Sequence, residues 1–173
     1  MIYIIIPVHN RLALTKKCID SLFLQSLNDW VLFLVDDGST DDTEKYINAL
    51  KNKKINYVKG NGSLWWTGAI KLGIDNVLQR ANEKDYIMTV NNDIVFDADT
   101  ITNLIENIDD NLICSSISLD GIDTEKAMSS GSKVVSWLLN ITKHPFYGMK
   151  YKNFYKHHIV EVDMLTGRSV LYP

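Results

Sequence analysis

Two uninterrupted apolar runs, residues 2–6 and 31–35, restrict the folds open to this chain more than any other feature. Neither alternates polar with apolar, so each suits a strand covered on both faces, as in a mainly parallel sheet. Between them Leu14, Cys18 and Leu22, with Ile19 and Phe23, recur at helical spacing and predict a helix over residues 12–25. After the second run, Tyr46, Ile47 and Leu50 mark another helix, with Asp41 or Asp42 as its N-cap and Glu44 in its first turn. Residues 55–58 read as a third strand. This β-α-β-α-β order is the opening of a doubly wound α/β fold with right-handed crossovers. Pro7 is expected to end the first strand, because proline cannot continue a central ladder.

A fourth strand, residues 86–90, ends in Asn91-Asn92-Asp93 and is followed by a second apolar run, residues 94–96. Open α/β sheets place ligands at the C-terminal ends of such strands. The Asp93 carboxylate is a hard oxygen ligand suited to Mg²⁺ or Mn²⁺ carrying a diphosphate. A plain turn between two strands is the competing reading, since Asn and Asp are ordinary turn residues.

Gly60-Asn61-Gly62-Ser63-Leu64-Trp65-Trp66-Thr67-Gly68 precedes a helix over residues 67–81 that turns Ala69, Ile70, Gly73, Ile74, Val77 and Leu78 inward. The segment is no dinucleotide fingerprint, because Trp65 stands where the third glycine belongs, and no Walker sequence is present. The paired tryptophans either wall a pocket or fill the core.

Further on, Asp97 or Asp99 caps a helix carrying Ile101, Leu104, Ile105 and Ile108. Residues 112–119 read as a strand, 120–130 as a surface excursion or hairpin, and 133–139 as β-prone. Residues 142–158 read as a long aromatic and basic loop. Residues 157–165 alternate into a strand, residues 166–168 turn, and residues 169–172 start another strand.

A net charge of −3 provides no global basic field for nucleic acid. The longest apolar runs are too short to cross a bilayer, and no basic segment of a signal peptide opens the chain. Cys18 and Cys114 stand apart within apolar patterns and read as buried thiols of a reducing compartment. His9 reads as a loop histidine, and His144, His157 and His158 lack the spacing of a zinc site.

Three motifs then carry a family likeness. Ile4-Ile5-Ile6-Pro7-Val8-His9-Asn10, Val35-Asp36-Asp37-Gly38-Ser39-Thr40-Asp41 and Asn91-Asn92-Asp93 resemble, in order and spacing, the inverting family 2 glycosyltransferases. The segments at residues 60–68 and 162–168 resemble the bacterial cell-surface polysaccharide branch with rhamnosyltransferase-like members. The resemblance implies a nucleotide-diphospho-sugar transferase (GT-A, Rossmann-like) fold over a single domain, residues 1–173. Residues 1–97 form its nucleotide-binding half, and residues 98–173 start its acceptor side.

It further implies that Pro7, Val8, His9 and Asn10 underlie the nucleoside. Asp37 would accept from N3–H of uracil or thymine, and Asp36 would hold the turn beside it. Gly62, Trp66, Asn91 and Asn92 join this nucleotide-binding set. Asp93 would bind the divalent metal, Mn²⁺ or Mg²⁺, and Gly167 and Arg168 would face the acceptor or sugar. Asn91 and Asn92 replace the aspartates often found in relatives, which implies a weaker metal site that the diphosphate completes.

The implied reaction moves a sugar from a UDP- or dTDP-linked donor to a saccharide or lipid-linked acceptor with inversion. Relatives carry their base in an acidic motif downstream of the Thr-Gly-Arg segment. It is therefore expected beyond Pro173, in a chain truncated at its C-terminus, with Asp163 the weaker candidate within it. The expected setting is the cytoplasm, with peripheral association at the inner face of the membrane, and uncovered apolar surface favours homo-oligomers. The alternative from another class is a non-catalytic nucleotide-binding module of the same fold. A nucleotidyltransferase is disfavoured, because Pro7-Val8-His9-Asn10 stands where its glycine-arginine-rich loop should be.

Overall fold

The computed structural model of the chain describes residues 1–123, 125–150, 153 and 159–173. Tyr151, Phe154, Tyr155, His157 and His158 of the expected long loop lie outside them. The chain packs as two compact units, Met1–Ile113 with Gly167–Pro173, and Cys114–Thr166.

In the first unit, β1 (Ile2–Val8), β2 (Trp30–Asp36), β3 (Ile55–Lys59) and β4 (Tyr86–Val90) run parallel. The last strand of the chain, β10 (Ser169–Tyr172), lies antiparallel to β4, and the order is β3-β2-β1-β4-β10. Four helices accompany them: α1 (Leu12–Phe23), α2 (Thr43–Leu50), α3 (Trp65–Val77) and α4 (Thr100–Asn107). The unit is thus α/β, a mixed and mainly parallel sheet flanked by helices.

The apolar runs fill the centre because both faces of the sheet are covered. Tyr3, Ile5, Phe33 and Val35 pack with Ala69, Ile70 and Val77 of α3. Ile4, Ile6, Leu32 and Leu34 point to the other face and are equally buried. Helix α3 lies very close to the sheet. A Cβ on Gly73 would stand 2.4 Å from Ile5 Cγ2 and 3.2 Å from Val35 Cγ2, so only glycine fits there.

Several expectations need correction. Pro7 does not end β1; the strand continues to Val8, opposite Asp36 of β2. The Val8 carbonyl accepts from Asp37 N on the β2 side, so the neighbouring Pro7 turns its nitrogen the other way. There the β1–β4 ladder has already ended at Ile5 opposite Thr89, and the missing N–H removes no ladder bond.

Helix α1 buries Thr15, Cys18, Ile19, Ser21 and Leu22, leaving Leu14 and Phe23 only partly covered. Its hydroxyls are needed inward: Ser21 Oγ accepts from Phe96 N, and Thr15 Oγ1 accepts from Asn92 Nδ2. Residues 94–96 are accordingly tied to α1 after a turn and form no strand. Neither the Asp97 nor the Asp99 side chain caps α4, although their backbone carbonyls accept from Thr100 N and Asn103 N; Gln25 Oε1 accepts from Ile101 N.

The second unit holds short strands: β5 (Cys114–Ser115), β6 (Ser118–Leu119), β7 (Ala127–Ser129), β8 (Lys133–Ser136) and β9 (Ile141–Lys143). The single strand expected over residues 112–119 is therefore broken. The excursion over residues 120–130 is a hairpin in which β6 pairs antiparallel with β7. Strands β8 and β9 form a second hairpin, within residues expected to be β-prone and loop respectively. The expected strand over residues 157–165 is reduced, among the described residues, to one bridge between Ser132 and Met164.

Candidate active site

The order β3-β2-β1-β4 reverses direction at β1, because the chain builds outward through β2 and β3 before returning to place β4 on the other side. The crevice beyond the carboxyl ends of β1 and β4 is the ligand position for such a sheet. The polar motifs of the sequence converge on this edge of the first unit.

Asp36 ends β2 and Asp37 follows it; both are buried, at 1% and 6% exposure. Asp36 Oδ1 accepts from Ser39 N and Oδ2 from Tyr57 Oη, each at 2.8 Å. That bond, together with burial and the neighbouring negative charges, pushes the Tyr57 hydroxyl well above its usual range, burial acting most strongly. Asp37 reaches across to the entrance of α3. Its Oδ1 accepts from Gly62 N at 2.8 Å, and its Oδ2 from Leu64 N at 2.8 Å and Trp65 N at 3.0 Å. It thereby caps a helix from another loop, where no residue of the helix's own approach supplies a side-chain cap.

Glycine permits this approach. Gly38 and Gly62 both have positive φ, +75° and +84°, and a Cβ on Gly38 would stand 2.9 Å from Gly62 Cα.

The loops after β1 and β2 are joined by side chains. Asn10 Oδ1 accepts from Thr40 N, Thr40 Oγ1 and Asp41 N, while Asn10 N donates to Ser39 Oγ. Asp41 Oδ2 accepts from Leu12 N, and its Oδ1 accepts from Thr43 N and Thr43 Oγ1, so one carboxylate serves the starts of α1 and α2. Burial raises the Asp41 pKa, but these bonds outweigh it and hold the carboxyl below its usual range. His9 Nδ1 donates to the Asp37 carbonyl at 2.7 Å, which fixes its tautomer and leaves the ring exposed.

Beyond Asn10, Arg11 also has positive φ, and its Nη1 stands 3.9 Å from Asp93 Oδ2. This contact bridges the carboxyl ends of β1 and β4, and both side chains are open to solvent, at 63% and 44%. Trp66 is 47% exposed, and its Nε1 donates to Asn91 Oδ1 at 2.9 Å. The same indole lies beside Gly167, where a Cβ would meet Cζ2 and Cη2 at 3.6 Å. Arg168 contributes its carbonyl to Asn91 N, and its side chain is exposed. Trp66, Asn91, Gly167, Arg168 and Asp93 thus share one edge.

Residues 3–171 match the family described as glycosyl transferase family 2. The chain belongs to the family 2 glycosyltransferases. It is 31% identical over 111 residues to an uncharacterized glycosyltransferase of Rickettsia felis, and 32% identical over 113 residues to one of Rickettsia conorii. These alignments cover 62% and 64% of the chain but only 17% of each relative's length. The fold is GT-A-like. It resembles Staphylococcus aureus TarS residues 1–349 at TM-score 0.51 and 19% identity, covering 61% of this chain and 31% of that one. It also resembles the mannosyltransferase PcManGT of Pyrobaculum calidifontis, in complex with GDP-Man and Mn²⁺, at TM-score 0.57 and 17% identity, covering 71% and 36%.

Against the residues expected of such a transferase, the structure sorts them by depth. His9, Gly62, Trp66, Asn91, Asp93, Gly167 and Arg168 reach the edge, and Asn10 lies just below it. Pro7, Val8, Asp36 and Asn92 are buried within the frame that supports it. Asn92 turns inward, at 8% exposure, to the Thr15 hydroxyl. The Asp37 side chain is buried with them, at 6% exposure, so these five residues form the frame beneath the edge.

Among the described residues, no group of three His, Cys, Asp or Glu side chains could hold a metal by itself. Asp93 can supply one oxygen, which fits ions that take one or two carboxylates and complete their shell with substrate phosphates and water. Cys18 lies beneath the same edge. Burial, then the charge of Asp93, push its thiol up to about 12 against a backbone bond from Ile94, so it stays protonated and takes no part as a nucleophile.

Arg11 and Asp41 were not among the expected site residues. Arg11 follows Pro7-Val8-His9-Asn10 directly, and that adjacency was the available signal. Asp41 was legible only as a cap of α2, because its second partner, Leu12 N, is remote in sequence.

Proposed function

We propose that this edge binds a pyrimidine nucleotide-diphospho-sugar, UDP- or dTDP-linked, for inverting transfer to a saccharide or lipid-linked acceptor. The proposed setting is bacterial cell-surface polysaccharide synthesis, in the cytoplasm at the inner face of the membrane. The observation that carries this reading is the exposed Arg11–Asp93 pair across the carboxyl ends of β1 and β4. A cation and a hard anionic oxygen at the carboxyl ends of these strands support diphosphate binding there.

The geometry supports the following binding groups. An ionised carboxylate has about four acceptor sites, and Asp37 uses three on backbone N–H groups, so Oδ1 retains one for a pyrimidine N3–H. Trp66, held by Asn91, presents an aromatic wall beside Gly167 for a ring or sugar. Arg11 can exchange Asp93 for diphosphate oxygens, to which a guanidinium binds bidentately. A divalent metal held by Asp93 would supply neutralisation of the charge that the departing diphosphate gathers.

The acceptor hydroxyl is a poor nucleophile and needs a general base. Asp163, in the second unit, accepts one bond, from Val134 N at 2.7 Å, which helps to hold β8. The family resemblance implies a base downstream of the Thr-Gly-Arg segment, so we assign none within residues 1–173 and expect donor binding without transfer. Robust turnover by these residues would contradict that and make Asp163 the first suspect.

TarS residues 1–349 are known in complex with UDP-GlcNAc, whereas PcManGT is in complex with GDP-Man. The base preference is therefore the point to test. In a thermal-shift screen with Mn²⁺, UDP and dTDP should raise the midpoint more than ADP and GDP. Equal shifts for purines and pyrimidines would overturn the pyrimidine assignment.

A further inference from the structure

The β8–β9 hairpin carries an apolar tip that nothing in its own unit covers. Val135, Trp137, Leu138, Leu139 and Ile141 are 64%, 78%, 94%, 68% and 46% exposed. No acidic residue occurs anywhere between Lys133 and Lys143, the residues that open β8 and close β9. These two lysines are directly opposite in the ladder, Lys133 paired with Lys143, and both are exposed. Like charges in directly opposed positions repel. The Asp163 carboxylate lies beside this pair, on Val134 N, but among the described residues neither lysine forms an ion pair, so an external anion would relieve the repulsion. A cleft of about 470 Å³ opens beside it, lined by Lys133, Lys143, His144, Phe146, Tyr147 and Met149 among others.

We infer that this hairpin docks the protein on an anionic lipid surface, with Trp137, Leu138 and Leu139 in the bilayer interface and Lys133 and Lys143 against headgroup phosphates. The dimensions agree. At about 3.3 Å per strand residue, the tip stands on the order of 10–15 Å beyond the lysine backbone. Interfacial segments bury their apolar side roughly 5–10 Å into the headgroup and acyl boundary. Lysine stems span the difference, keeping the ammonium at the polar level. Tryptophan at the tip suits the same boundary, where its ring is apolar and its N–H remains wet.

A second copy of the chain is a poorer occupant. The exposed side chains converge on one turn, whereas a stable protein interface needs about 800 Å² from each partner. The inference rests on the second unit alone and stands or falls separately from donor binding. No helix among the described residues is long and apolar enough to cross a membrane, so surface docking is the mode concerned.

The test is co-sedimentation of the 173-residue chain with vesicles of phosphatidylcholine alone and with added phosphatidylglycerol. The wild type should partition onto the anionic vesicles, and less as salt rises. Leu138→Ser with Leu139→Ser should weaken partitioning at least tenfold. Lys133→Gln with Lys143→Gln should remove roughly thirtyfold on anionic vesicles, about fivefold per lysine, and change little on phosphatidylcholine. Quenching by brominated lipid should fall sharply in Trp137→Phe, leaving the other tryptophans unquenched. Circular dichroism spectra and thermal midpoints of the variants should match the wild type, which shows that they fold. Absent partitioning of the wild type, or equal partitioning of the tip variant, overturns the inference. So does a tip-dependent dimer in size-exclusion chromatography without vesicle binding.

Discussion

Asp37 accepts three backbone N–H groups with one buried carboxylate, and its removal exposes how the edge is held. Asp37→Ala leaves those donors at the entrance of α3 without a partner. The expected loss of stability is about 3 kcal/mol, from unsatisfied donors and a lost cap together. Urea denaturation checks it; an unchanged midpoint would mean that Asp37 is a ligand contact only. Arg11→Gln should act the other way on ions. With the guanidinium gone, Mn²⁺ should bind the nucleotide-free protein more tightly than wild type, because Asp93 loses its only ion-pair partner among the described residues. Calorimetric titration of Mn²⁺ reads this directly, and an unaltered affinity would show that the pair at 3.9 Å does not compete with the metal.

Alkaline behaviour also belongs to single residues. The Cys18 thiol is raised by burial from its ordinary 9.0 to about 12, and the Tyr57 hydroxyl from 10.0 upward by burial and its bond to Asp36. Both acids keep their protons in the folded chain where the unfolded chain loses them. The unfolded state then binds fewer protons, so stability falls as pH rises above about 9. Urea midpoints from pH 8 to 10.5 should decline, and Cys18→Ala should flatten the first part of that decline. A flat wild-type profile would contradict the assignment.

At the scale of elements, the sheet and its helices were legible because their signals are local. The runs at residues 2–6 and 31–35 became β1 and β2, and the pattern after Gly68 became most of α3. What escaped was set by partners remote in sequence. Pro7 stays within β1 because the β4 ladder ends before it, which no local rule reveals. Asn92 reads as a site residue but turns to Thr15, and α4 is capped by Gln25 rather than by its own aspartates. The two tryptophans proved to be exposed, at 83% and 47%, a burial question that periodicity leaves open. Gly73 gives the element-scale prediction. Gly73→Ala would raise helix propensity in isolation, yet its Cβ would stand 2.4 Å from Ile5 Cγ2. Overpacking should prevail and destabilise by about 1–3 kcal/mol, read by thermal denaturation. A stabilised variant would show that α3 can lift from the sheet without penalty.

For the whole molecule, the first unit carries the proposed nucleotide edge and the second carries the apolar hairpin. The chain spans 17% of the length of the curated relatives it matches, so the acceptor and the complete reaction remain matters for the longer proteins. What the 173 residues should do alone is bind a nucleotide diphosphate through Asp93 with a divalent ion. Calorimetry of UDP binding to the wild type and to Asp93→Ala, each with and without Mn²⁺, tests this most directly. Mn²⁺ should tighten UDP binding to the wild type at least tenfold and have no effect on Asp93→Ala, whose fold is unchanged because the side chain is 44% exposed. An equal Mn²⁺ gain in both proteins would reduce Asn91-Asn92-Asp93 to a turn and contradict the site.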